Sequence, residues 1–405
     1  MVAAAVVLVL FAPSLRLAFI LPTDVPLFVC IGLGILAIVL NAPFAGVKNF
    51  STTMAWLVTV MFFFLLVRNW LLLSLISIED ISKAAAATCI GLSLFIVSEF
   101  IVENAFGLNL TKFIFPFASD LPPIDLLPGW SRPRGLAAEP GFTAMVFEAI
   151  LPLAWIRYGR HWRSAALLLA IVLPGFTLLG SVGSFVAIAL TLSVVTAIRG
   201  GTPRIWLSIT LGWVFLIGVV LQTDAGKLLF NEIILRKLVE LFGGGVIEAS
   251  GPTSRFEAYR AGFQILLQRP MGIGWGMVSQ MYADGMSLPG LPAIRGRGLL
   301  SLFLETAVSA GWIGLVALLL FLGTRILQLI AIRTWDSTCV LFALLTLLFH
   351  HAVLLEFWFP MLWLILAIAD CLAYRATVVF SVIPPVPSGY RKLMGVPVDQ
   401  PDAHV

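Results

Sequence analysis

Charged residues are scarce in this chain. Asp, Glu, Lys and Arg make up 11% of its 405 residues, while apolar residues make up 60%, a balance far from that of soluble domains. With a mean hydropathy of +1.03, apolar runs longer than the roughly 18 residues that mark a bilayer span recur from end to end. The solvent for most of the chain is therefore lipid, and a soluble globular protein is excluded, as are disordered and collagen-like chains. Cysteine is also sparse: Cys30, Cys89, Cys339 and Cys371 each sit in an apolar segment with no CxxC spacing, which points to small buried hydrophobes and away from a disulfide frame or metal site. Several enzyme signatures are missing: the GxxxxGK(S/T) phosphate loop, the HExxH zinc pair, the GxSxG elbow and the Asp-x-Asp of metal-bound nucleotide sugars. No metal or cofactor is expected.

What is present is a series of apolar windows. They predict an all-α polytopic bundle of about eleven spans, near residues 2–20, 26–41, 54–75, 84–102, 140–157, 164–180, 182–198, 204–222, 300–323, 338–356 and 358–375. The opening segment has no charged leading region and is read as retained. The net charge is +4, but the positive residues are strung through short connections, not gathered into a stripe, which argues against nucleic acid. Arg157, Arg160 and Arg163, then Arg199 and Arg204, then Arg325 and Arg333, then Arg375, Arg391 and Lys392 fall in alternate connections. The positive-inside rule makes these cytoplasmic. Two longer stretches, 103–139 and 223–299, then face outward.

The expected division is N-terminal spans over 1–222 with the outer loop 103–139, a large outer loop over 223–299, C-terminal spans over 300–375 and a polar, Pro-rich cytoplasmic tail over 376–405. A loop as long as 223–299 usually carries structure or function. Phe230, Ile234, Leu238 and Leu241 repeat at helical spacing in it. So do Phe256, Tyr259, Phe263, Leu266 and Leu267, between a capping box at Ser254 and Glu257 and a stop at Pro270. Both read as helices lying on the membrane surface. The run Gly272-Ile273-Gly274-Trp275-Gly276 follows a helix and reads as a turn, not a dinucleotide loop.

Candidate site residues cluster at the outer boundary. Arg132, Arg134 and Glu139 precede a span that begins at Pro140; Pro and an acid suit a helix start, so Glu139 is equally a cap or a reacting group. A guanidinium such as Arg134 at the lipid-water boundary beside a helix N-terminus makes an anion site suited to phosphate. In the large loop, Arg255 in the first turn of a helix opposes the macrodipole, which a bound anion would compensate. Arg260 can simply meet lipid headgroups, and Arg295 and Arg297 precede the next span. Ionisable groups inside spans are candidates by default. Of these, Glu148 and His350 are expected to line a cavity, His351 points elsewhere, and Glu99 and Glu356 lie near enough to span ends to reach water.

The elements Arg134-Gly135 with Glu139-Pro140, Ser254-Arg255 through Tyr259, Arg269 through Gly276, and Ala310-Gly311-Trp312-Ile313-Gly314-Leu315 together resemble the O-antigen ligase and polysaccharide polymerase superfamily, over residues 54–370 and in the family's order. The resemblance implies a C-type glycosyltransferase-like fold and a metal-independent enzyme in the bacterial inner membrane. It would transfer a glycan from undecaprenyl diphosphate to the hydroxyl of an acceptor glycan or glycolipid at the periplasmic face. It further implies Arg134, Arg255 and Glu139 as catalytic residues, with Arg132, Arg260, Arg295, Arg297, Glu305 and His350 contacting substrate. The ligases' His-Asn pair is replaced here by Leu300 and Ser301, so a base would have to come from Glu139, Glu305 or a histidine of the span at 338–356. This favours a repeat-unit polymerase for O-antigen or exopolysaccharide over a ligase that attaches polymer to lipid A-core. Outside this class, a lipid-linked glycan transporter or a non-catalytic export subunit is the alternative.

Overall fold

The computed structural model describes residues 21–41, 47–108, 110, 125–127, 130–137, 140–200, 252–277, 299, 301–352 and 359–382. These residues are mostly helical. After a single 3-10 turn, Pro22–Asp24, come α1 (Val25–Leu40), α2 (Val47–Leu72) and α3 (Ile78–Phe106). Two short strands, β1 (Asp125–Leu127) and β2 (Trp130–Ser131), pair antiparallel. Then follow α4 (Pro140–Tyr158), α5 (Trp162–Leu178), α6 (Val182–Ile198), α7 (Pro252–Gln268), α8 (Leu302–Ile332), α9 (Trp335–His351) and α10 (Pro360–Val382).

Each apolar segment expected within the described residues coincides with a helix, and among these residues four helical stretches are long and apolar enough to cross a membrane: Pro22–Leu40, Ile78–Phe106, Leu302–Ile332 and Pro360–Thr377. The segments at 2–20 and 204–222, and the amphipathic run at 230–241, lie outside the described residues. Boundaries shift in places. The helix expected over 300–323 continues to Ile332, and the one ending near 375 continues to Val382, so the first residues of the expected tail are helical. The outer loop expected from 103 begins only after Phe106, where Gly107 closes α3 in the left-handed conformation.

Contacts between helix ends establish which connections share an end of the bundle. Trp335 Nε1 donates to the Trp155 carbonyl at 3.3 Å, and Arg160 pairs with Asp336 at 2.7 Å, so the end of α4 meets the start of α9. Arg157 pairs with Glu79 at the start of α3. Arg199, after α6, donates to the Leu329 and Ile330 carbonyls near the end of α8. Arg157, Arg160, Arg199 and Arg333 therefore gather at one end. The 130–137 segment, the start of α8 and the docked α7 occupy the other.

Arg325 corrects the topological reading. It does not lie in a connection; it sits within α8, fully buried, in a quartet with Asp24, Arg68 and Asp370. Arg68 Nη1 donates to both Asp24 oxygens (3.0 and 2.8 Å) and to Asp370 Oδ2 (3.0 Å). Arg325 Nη2 donates to Asp24 Oδ1 at 2.6 Å and Arg325 Nη1 to the Thr23 carbonyl. Two positive and two negative groups cancel inside the bundle, and they tie the start of α1 to α2, α8 and α10. Beside them Phe64 packs edge to face on both Phe321 and Trp363, with the Arg325 guanidinium 3.9 Å from the Phe321 ring centre.

The glycine-rich run after α7 is a strap packed into the bundle. α8 is broken at Gly311 (φ 74°, ψ −177°), which frees backbone groups on either side. Ile273 and Gly274 donate to the Val308 and Ser309 carbonyls at 2.8 and 2.9 Å, and Trp312 N–H donates to the Pro270 carbonyl at 3.1 Å. The break and the strap thus satisfy each other, as irregular backbone in an apolar setting must. Gly272 (φ 85°) and Gly311 are both forced: a Cβ on either would lie 2.5 Å from a carbonyl oxygen of the opposite segment.

Removing one member of the quartet leaves a buried charge uncompensated, which costs about 3–5 kcal/mol. Arg325→Ala should therefore unfold at markedly lower temperature than the wild type in detergent-solubilised thermal melts. Thr324→Ala, at a half-buried neighbour on the same helix, should change little.

Candidate functional site

Building outward from α3 shows how Arg134 is held. Near the end of that helix, Asn104 uses its side-chain amide as a strand would use its backbone: Oδ1 accepts from Ser131 N–H at 2.7 Å and Nδ2 donates to the Ser131 carbonyl at 3.1 Å. Trp130 stacks on Phe100, with ring centres 5.4 Å apart. Nearer the bundle centre, the Glu99 carboxylate accepts from the backbone N–H groups of Arg134 and Gly135 at 3.3 and 2.9 Å. Glu99 was expected to reach water; instead it is 1% exposed, because its carboxylate is the acceptor that the turn's two amides require. From the other side Thr143, in the first turns of α4, donates to the Arg134 carbonyl at 2.6 Å. Gly135 has φ 69°, and a Cβ there would strike Thr143. The Arg-Gly pair is thus a turn clamped between α3 and α4, with Arg134 itself only 8% exposed.

Arg132 is engaged differently. Its Nε donates to the Leu179 carbonyl at the end of α5, a helix C-terminus where a cation is favoured. Burial pushes its pKa down to about 10, so it stays protonated at neutral pH. Arg260 is exposed on α7. Arg255 falls in the first turn of α7, which starts at Pro252; Ser254 is therefore the third helical residue and not the cap. The Arg255 side chain lies outside the described residues, as do Glu139, Arg295, Arg297 and Glu356.

α7 is docked as well as amphipathic. Ala261, Ile265 and Leu266 bury against Leu299, Leu304, Ala307 and Val308, and Gly262 permits the approach, since a Cβ there would meet Leu299 and Leu304 within 3 Å. Phe263 and Leu267, expected on the same apolar face, are instead 53% and 75% exposed, a second apolar edge suited to lipid. Ser301 caps α8 by accepting from Leu304 N–H. Glu305 is buried in the first turn of that helix.

His350 and Glu148 are brought together. His350 Nδ1 lies 2.8 and 3.0 Å from the two Glu148 oxygens, both residues being buried. His351 turns away, its Nδ1 donating to the Leu347 carbonyl at 2.7 Å. The buried quartet is the polar feature that inspection of candidate residues missed, although each member stands alone in an apolar run and an intramembrane charge is itself a signal.

No family model, curated protein or solved structure matches the chain.

The arrangement supplies an ordered cationic turn at one end of an apolar bundle and a buried carboxylate-imidazole pair farther along α4. Glu99→Ala should release the turn, because two buried amides would lose their acceptor at about 1–3 kcal/mol. Hydrogen exchange should then accelerate at Arg134 and Gly135 while the protection of α8 and α10 is unchanged.

Proposed function

We propose that the chain is a glycosyltransferase that moves a glycan from undecaprenyl diphosphate to an acceptor hydroxyl, a repeat-unit polymerase in preference to a ligase. The observation that carries this reading is the Arg134-Gly135 turn, held by Glu99 and Thr143 at the bundle end opposite the arginine-rich connections. If those connections are cytoplasmic, as the positive-inside rule requires, Arg134 belongs to the periplasmic face of the inner membrane. There a polyprenyl tail has lipid beside it, and the leaving diphosphate has fixed cations to stabilise its developing charge. Arg134 and Arg255 take that role, with Arg295 or Arg297 assisting and Glu139 positioning the acceptor. Arginine does this without a metal, since its fork matches phosphate geometry and is weakly hydrated. The motifs shared with the O-antigen ligase and polymerase superfamily support the same reading, including its fuller complement of eleven spans and a C-type architecture. The capping role of Ser301 leaves the ligase-type pair without a counterpart and tilts the choice toward polymerase.

A second reading keeps a specific observation on its side. Charges buried within the bundle and a span broken at Gly311 are features of carriers that move substrate without chemistry. The two readings separate on product. Purified protein supplied with polyprenyl-diphosphate-linked oligosaccharide should release free polyprenyl diphosphate, and translocation without release would establish the carrier. In cells, Arg134→Ala and Arg255→Ala should each abolish the polymer ladder on gels while membrane levels of the protein persist. Full-length polymer from both variants would refute the assignment.

A further inference from the structure

The transfer reaction proposed above needs a group to receive the acceptor's proton, and the Glu148–His350 pair has the geometry for it. Contacts of 2.8 and 3.0 Å from His350 Nδ1 to the two Glu148 oxygens fit a ring that donates to the carboxylate from Nδ1. The remaining nitrogen, Nε2, then carries a lone pair. It makes no hydrogen bond among the described residues, and it faces the first turn of α6 at Gly183, where an added Cβ would lie 3.3 Å from it. A carboxylate that fixes one ring nitrogen and leaves the other as acceptor is the arrangement that orients a histidine base.

Position agrees with chemistry. α9 starts at the arginine-rich end, so His350 in its last turn lies toward the end that holds Arg134. On α4, Thr143 touches the Arg134 carbonyl and Glu148 follows five residues later, about 7.5 Å deeper at 1.5 Å per residue. Two further polar side chains lie at the same end of α6 as Gly183: Ser181 at its cap and Ser184 in its first turn, both buried, with their hydroxyls 2.9 Å apart.

Resting on the proposed transfer reaction, we propose that His350 takes the proton of the acceptor hydroxyl at Nε2, with Glu148 as its positioning residue. The acceptor O–H bond breaks and its proton passes to Nε2, while the acceptor oxygen bonds to the anomeric carbon. The bond from that carbon to the phosphate oxygen breaks, its electron pair leaving on the diphosphate. The imidazolium then returns its proton to the departing diphosphate or to water. Among the described residues, the other titratable groups at this end of the bundle include Glu305 in the first turn of α8, Arg132 at the end of α5, Glu99 and Arg134 of the clamped turn, and His351, which is bonded to the Leu347 carbonyl with its ring against Phe359. The described part of α6 has none before Arg199 at its far end, and Asp370 of α10 sits in the buried quartet.

The test uses full-length protein in nanodiscs with polyprenyl-diphosphate-linked oligosaccharide extracted from the producing cells, read as release of polyprenyl diphosphate across pH 5 to 9. His350→Gln should lower turnover by about 10²- to 10⁴-fold, the usual contribution of a positioned base, with donor binding retained and the acid limb of the wild-type pH profile gone. Glu148→Gln should shift that limb, and Glu148→Asp should partly restore it. Gly183→Ala, which leaves the pair intact, should raise KM for the acceptor because its methyl crowds Nε2. A wild-type rate and pH profile in His350→Gln, with Arg134→Ala inactive, would overturn the base assignment and leave the transferase standing. Should His350→Gln fail to fold, an unchanged acceptor KM in Gly183→Ala together with an unshifted profile in Glu148→Gln would overturn it equally. Absence of release by the wild type would remove the transferase and the base together.

Discussion

A chain dissolved in hydrocarbon has no water to satisfy its polar groups, and every irregular feature of this bundle is shaped by that constraint. The quartet of Asp24, Arg68, Arg325 and Asp370 answers it with charge against charge, in the equal numbers needed for neutrality. The break at Gly311 answers it with backbone against backbone, the strap at 270–274 supplying donors and an acceptor where the helix cannot. The turn at Arg134 answers it with a side chain, Glu99 standing in for the carbonyls that a helix or sheet would provide. In each case the partner comes from a distant part of the chain, so the pairing also determines which helices lie together.

These solutions explain what could and could not be read beforehand. Helix positions were legible because apolar length alone reports them, and the arginines at 157, 160, 199 and 333 marked one end because charge avoids lipid. Arg325 was misread for the same reason. A positive residue near the end of an apolar run looks like the start of a connection, and nothing local shows that Asp24 and Asp370 await it. Glu99 was misplaced by the same logic, since its acceptor role depends on two amides far along the chain. The break in α8 left no trace in the apolar pattern, which runs through Gly311 without interruption. Composition reports the solvent of each segment, whereas polar partnership across the bundle is a property of the assembled fold.

The Arg-Gly turn and the Glu148–His350 pair were each legible as residue types, but their relation was not. α4 carries the contact to one at Thr143 and the carboxylate of the other at Glu148, so a single rigid helix sets how far apart the turn and the pair lie along the bundle. Loops are poorer at this, because their geometry is easily lost. Arg132 and Asn104 strengthen the point: they bind segment 131–132 to the ends of α5 and α3, and leave Arg134 little freedom to leave its seat.

The indole of Trp275 occupies the space that a side chain at Gly34 would need, its Nε1 only 2.0 Å from where that Cβ would stand, and the ring is 1% exposed. α1 is otherwise greasy on every side, with Val, Leu and Ile around its whole circumference, and such a cylinder could turn or slip against its neighbours with little penalty. The quartet holds only its start, at Asp24, and the notch at Gly34 fixes the middle. Rotation by one residue would set Leu33 or Ile35 against the ring, so a tryptophan from a distant strap gives the nearly featureless middle of the helix its register.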